Sequence, residues 1–231
     1  MKSRIPALIF GAFTVFAKNR GIGELELTQP NAWGVADATR AHYGWAPVAA
    51  DFNNDGNLDI IELDMLPPDN YRKKLMFGST NHDRYRSEMQ YGYQPQFMRN
   101  TLQLNRGLTE KGDLRFSDIS MLAGVDATDW SWSALFADFD NDGRRDLMVT
   151  NGYPKDITNR DFINYRAQQF SQDAGSAGTS LTSALKTLEG AHLNNFVFKN
   201  MGNLRFENRS ADWGFTRDSY STGAAYADFD N

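Results

Sequence analysis

The chain has 231 residues, 41% of them hydrophobic and 23% charged, with a formal net charge of −5 and no cysteine. That composition suits one large globular core or two small ones, and the acidic balance argues against an electrostatic grip on nucleic acid or anionic lipid. The absence of thiols excludes a disulfide framework and thiolate metal sites. Aromatic content of 13% and 19 glycines among many Asn and Asp point to a turn-rich β chain.

Residues 1–20 admit two readings. Lys2 and Arg4 precede an apolar run, with Val15 and Ala17 placed as a signal peptidase needs them. The same stretch contains "FTVFAKNRG" from Phe13, which matches a strand motif further along the chain. The apolar run is too short for a membrane span, so no membrane insertion is expected.

Residues 21–231 read as one repetitive β region. "AADFNNDGNLDIIELD" begins at Ala49, "FADFDNDGRRDLMVTN" at Phe136, and "YADFDN" at Tyr226. Their first aspartates are Asp51, Asp138 and Asp228, spaced by 87 and 90 residues. Each has an aromatic eight residues earlier (Tyr43, Trp130, Tyr220), Ala immediately before and Phe immediately after. The match of Trp130 to Tyr43 and Tyr220 favours packing over a glycan platform built with Trp132. "NTLQLNRG" from Asn100 matches "NNFVFKNMG" from Asn194, and short alternating segments such as "LRFSDI" follow. Each unit therefore reads as strand, Asn/Gly turn, strand, small-residue segment, acidic loop, apolar strand.

A repeated β unit of roughly 50–60 residues predicts propeller blades. The expected fold class is all-β with helical insertions, a partial β-propeller of about three blades. The insertions fall at about 65–99 and 156–193, between strands of a blade or between blades. "RDFINYRAQQFSQ" and "SLTSALKTLEGAH" within the second carry helical periodicity. The third repeat stops at Asn231, inside its acidic loop, so the expectation is a fragment that needs further blades to close its ring.

The acidic loops carry the chemistry. In the second, Asp138, Asp140, Asp142 and Asp146 occupy positions 1, 3, 5 and 9, with Gly143 at 6 and the carbonyl of Arg144 at 7. In the first, Asp51, Asn53, Asp55 and Asp59 stand at the same positions, with Gly56 and the carbonyl of Asn57. Alternate side chains converge when the backbone curls, and clustered hard oxygens without His or Cys favour Ca²⁺ over transition metals. With one charge fewer, the first loop is expected to bind more weakly. Asp228 and Asp230 open a third, incomplete loop. Two other readings stand beside this one. One is a set of Asx turns that bind nothing. The other is an EF-hand, which Glu62 at position 12 of the first loop would suit and Val149 in the second would not.

"D-x-[DN]-x-D-G-x-x-D" entering a strand, preceded by Ala-Asp-Phe, resembles the FG-GAP/VCBS repeat of integrin-α propellers and of bacterial secreted proteins. "YGWAP" (Tyr43–Pro47) echoes the elements that name the repeat, and the long insertions resemble large VCBS-repeat proteins of Bacteroidetes type. The resemblance implies calcium ligation by both loops. Arg144 and Arg145 depart mildly from the family pattern and lower the second loop's negative charge, and their side chains are expected to point outward. It also implies a secreted location, extracellular, cell-surface or periplasmic. The expected function is that of a non-enzymatic, calcium-stabilised propeller used for adhesion or for binding a protein or glycan not identified by sequence. The alternative is a propeller-type polysaccharide lyase, with Tyr71, His82, Tyr85, Tyr91, Tyr93, Lys73 and Lys74 of the first insertion as aromatic and proton-abstracting candidates.

Overall fold

The computed structural model describes residues 8–10, 13–21, 24–28, 40–41, 45–76, 82–91, 96–112, 114–165, 186, 188–191 and 193–227. The chain is mostly β, with few helices and almost wholly antiparallel sheets. Strands β1 (Leu8–Phe10), β2 (Phe13–Gly21) and β3 (Glu24–Thr28) form an antiparallel sheet in that order. Next come β4 (Arg40–Ala41), β5 (Trp45–Ala50) and β6 (Asp59–Leu63). Helices α1 (Asn70–Met76) and α2 (His82–Gln90) precede β7 (Gln96–Phe97), β8 (Thr101–Leu108) and β9 (Leu114–Asp118). A single turn, α3 (Ser120–Ala123), leads to β10 (Ser131–Ala137) and β11 (Asp146–Asn151). The order ends with β12 (Leu193–Asn194), β13 (Phe196–Gly202), β14 (Arg205–Asn208) and β15 (Asp218–Ser219).

Two four-stranded antiparallel meanders dominate, β5-β6-β8-β9 and β10-β11-β13-β14. In each, the acidic loop is the hairpin between the first two strands, and an Asn-x-Gly sequence lies at the end of the third strand, where the register shifts just before the hairpin to the fourth. Both insertions connect the second strand of a sheet to its third. The first holds α1, α2 and β7; the second is helical at 160–165 and contains β12. Most of its two periodic segments lies outside the described residues.

The sheets divide the repeat differently from the sequence unit. That unit runs from the third strand of one sheet through the crossover to the second strand of the next. The crossover is the small-residue segment around α3. It is held by Asn100, which accepts Asp64 N–H (2.8 Å) and donates to the Val125 carbonyl (2.9 Å) and Thr128 Oγ1 (2.6 Å). Asn195 repeats the first of these bonds on Asn151 N–H, at 2.9 Å.

One apolar core lies between the meanders. Ile61, Leu63, Leu102 and Leu104 from the first meet Ala134, Leu147, Val149, Phe198 and Phe206 from the second, and β10 packs on β5 and β6. Phe52, only 1% exposed, leaves the first acidic loop to sit between them, with ring centroids 6.4 Å from Phe136 and 5.6 Å from Phe206. Each acidic loop is thus pinned by the phenylalanine that follows its first aspartate. Phe139, the counterpart in the second loop, meets Trp213 edge-on at 6.4 Å, on the opposite face of its sheet.

Candidate metal centre

The two acidic loops have one backbone conformation. Positions 4 and 6 are left-handed in both: Asn54 (φ 59°) and Gly56 (φ 84°), Asn141 (φ 57°) and Gly143 (φ 84°). Asparagine and glycine are the residues that tolerate this region, so the N-D-G triplet follows from the curl itself. The first aspartate closes the loop with both oxygens. Asp51 accepts Asp55 N–H (3.0 Å) and Gly56 N–H (2.9 Å), as Asp138 accepts Asp142 N–H (3.0 Å) and Gly143 N–H (2.8 Å). Asp55 and Asp142 in turn accept the N–H of residues 57 and 144, at 2.8 and 3.0 Å.

Position 9 is buried in both loops, Asp59 at 1% and Asp146 at 0% exposed. Asp59 accepts Asn105 N–H (2.8 Å) and Phe52 N–H (3.4 Å); Asp146 accepts Asn200 N–H (2.8 Å) and Phe139 N–H (3.1 Å). Asn105 and Asn200 answer by donating to the Leu58 carbonyl at 3.1 Å and the Arg145 carbonyl at 3.0 Å. Sequence reading had these asparagines as turn residues only. They weld the end of the third strand to the acidic loop, and the signal was their common spacing to glycine in "NRG" and "NMG". Burial pushes the Asp59 carboxyl up to about 7, with Asp55 and Asp51 adding to it against the two backbone N–H groups. Burial raises Asp146 as well, opposed by Asn200 and Phe139 N–H and reinforced by Asp140 and Asp142. Both carboxylates sit where a cation would relieve them.

In the second loop Asp138, Asp140 and Asp146 each place an oxygen within 4.8 Å of the others, the one such carboxylate group among the described residues. Ligands bonded to one calcium ion at about 2.4 Å lie within about 4.8 Å of each other, a condition that the set meets, and its all-oxygen chemistry is of the kind calcium takes. Asp142, the fourth predicted ligand, is turned elsewhere. It pairs with Arg144 (2.6 Å) and Lys199 (2.9 Å), and Lys199 also pairs with Asp140. The Lys199 hydrogen bond holds the Asp142 carboxyl below its ordinary value. In the first loop Asn53 replaces one carboxylate and bonds Asp55 through Nδ2 at 3.0 Å. The side chains of Asp51, Asn53, Asp55 and Asn57 line the curl, with Asn57 Nδ2 on Asp55 at 3.0 Å. Asp228 and Asp230 lie outside the described residues.

The outward arginines are corrected. Arg144 folds back so that Nε reaches the Asn200 carbonyl at 2.9 Å while its Nη2 holds Asp142. Arg145 donates to the Asp51 carbonyl of the first loop. Free carboxylates and backbone carbonyls attract guanidinium groups within reach, and the packed sheets bring them within reach. Asn54 Nδ2 to the Gly143 carbonyl (2.8 Å) and Asn200 Nδ2 to the Phe52 carbonyl (2.8 Å) complete the contact between the loops.

A second polar cluster was not legible in sequence. Arg72 on α1 holds Asp129 (2.8 Å), Asp156 (2.9 Å) and Tyr153 Oη (3.0 Å). Burial alone would raise Asp156, but hydrogen bonds from Tyr153 and Arg72 outweigh it and leave it below the ordinary range. Asp129 stays above that range because burial outweighs Arg72. Trp130 packs against Tyr153 with centroids 4.4 Å apart and rings tilted by 39°, and Trp132 Nε1 donates to the Gly152 carbonyl at 2.7 Å, so both indoles pack the structure around this cluster. Arg72 and Asp129 also line a half-open cavity of about 570 Å³ with Asn195 and Phe196. Of the lyase candidates, Tyr71 and Tyr91 are 72% and 82% exposed, and His82, Tyr85 and Lys74 are exposed too. None of these residues, nor Lys73, lines this cavity or the one beside Phe139. Tyr93 lies outside the described residues.

No family model, curated protein or solved structure matches the chain.

Proposed function

We propose that the chain is a calcium-clasped part of a β-propeller of FG-GAP/VCBS type, secreted or displayed at the cell surface, that binds a protein or glycan. The two meanders are two blades, and β2–β3 is the outer hairpin of a preceding one. The observation that carries the reading is the coincidence of the two loops. Residues 87 apart adopt the same left-handed positions and the same first-aspartate clasp, and each loop buries its position-9 aspartate. An Asx turn with no ligand has no need of a buried carboxylate beside others that are half-buried or exposed. Asp138, Asp140 and Asp146 would hold the ion in the second loop, and Asp51, Asn53, Asp55 and Asp59 in the first. Calcium there is structural: it neutralises the buried carboxylates and couples folding of the hairpin to metal. The insertions would then carry the recognition surface, since they are grafted on a repeated scaffold that needs no variation to fold. Calorimetric titration of metal-stripped chain with calcium tests the proposal. Heat of uptake supports it, and a silent titration rejects it.

A further inference from the structure

Calcium at the second loop has a competitor within the chain. Lys199, on β13, pairs with Asp140 and lies 2.9 Å from Asp142, which also holds Arg144 at 2.6 Å. Its side chain is 23% exposed, so the ammonium sits against the loop rather than out in solvent. The two sheets differ here. Lys199 precedes the Asn200 that welds hairpin to loop, and the residue in that place before Asn105 is Leu104, buried in the core. Among the described residues no Lys or Arg pairs with the first loop's carboxylates; Arg145 reaches that loop at the Asp51 backbone carbonyl instead.

We infer that Lys199 is a built-in counter-cation that must leave Asp140 and Asp142 before the second loop takes calcium. This rests on the calcium reading and says how the site is regulated. Asp140 can serve the ion or the ammonium, and Asp142 reaches the ion only by giving up its partners. An ammonium left nearby repels a divalent ion. The fourth carboxylate therefore confers no advantage on the second loop, against the order that counting charges suggests. The second loop fills at higher calcium than its ligand set implies, and in metal-poor solution it is already closed by its own lysine.

The test is calorimetric calcium titration in an Asp55→Asn background, which weakens the first loop and leaves the second to dominate uptake. Lys199→Leu, copying the first sheet, and Lys199→Gln, keeping a polar side chain, are compared with Lys199→Arg. Circular dichroism establishes that each variant folds. Removing one charge beside a divalent ion at this range strengthens binding about tenfold or more. The proposal predicts that gain for Leu and Gln and none for Arg. Uptake equal in all four proteins overturns the role of Lys199 while leaving calcium binding intact. Uptake in none of them overturns both.

Discussion

At Asp59 a carboxylate is almost fully buried with two backbone N–H donors, and burial lifts its pKa from 3.8 to about 7. Between those values the metal-free folded chain holds a proton that the unfolded chain has lost. Its contribution to stability therefore falls as pH rises from about 4 to about 7, by an amount on the order of a few kcal/mol. Carboxylates held below their ordinary range, such as Asp156, change their contribution only below about pH 4 and leave that interval clear. Urea unfolding of chelated protein should show lower stability at pH 8 than at pH 5, with a smaller difference in Asp59→Asn. A gain in stability from pH 5 to pH 8 contradicts the burial argument. Arg72 poses a related question of charge. Replacing it with Ala leaves Asp129 and Asp156 without their shared counter-cation, which costs about 3–5 kcal/mol for a pair broken on one side. A loss under about 1 kcal/mol in the same unfolding experiment would mean water replaces the guanidinium. Sequence patterning revealed the loop residues because their types and spacing repeat. It could not reveal Arg72, Asp129 and Asp156, which occur once each and meet only when the first insertion folds onto the second sheet.

The elements divide in the same way. The strands were legible as short alternating runs between Gly and Asn, and the acidic loops as their punctuation. Their grouping was not. β6 pairs with β8 across the whole first insertion, and hydrogen-bond partners that distant leave no mark on either strand. The phase of the repeat therefore came out shifted, with each hairpin assigned to the loop that follows it in sequence rather than the loop it is welded to. Phe52 and Phe139 test the observed phase. Phe52 is wedged between two sheets, so Phe52→Ala should cost about 3–5 kcal/mol as a buried aromatic truncation does. Phe139 meets Trp213 at its edge on the face away from the core, so Phe139→Ala should cost less than half as much. Equal costs measured by urea unfolding would mean that the two loops are pinned alike.

At the scale of the molecule, the proposal is a scaffold whose repeated parts hold metal and whose insertions differ. Stability should then depend on calcium, while recognition should not reside in the loops. Sequence reading reached the metal hypothesis because four oxygen ligands and a glycine at fixed spacing are a chemical statement in themselves. It missed the loop cations because Lys199 lies on another strand and a single sequence does not say which groups Arg144 and Arg145 meet once the sheets pack. The most direct measurement is the melting temperature of the chain in excess chelator and in calcium about a hundredfold above its dissociation constant. Binding to the folded state alone adds about 2.7 kcal/mol per site at that excess, which for a chain of this size raises melting by about 5–10 °C. The account predicts that rise, and a smaller one in the Asp138→Ala, Asp142→Ala double variant. Identical melting with chelator and calcium, unchanged in the double variant, would contradict it.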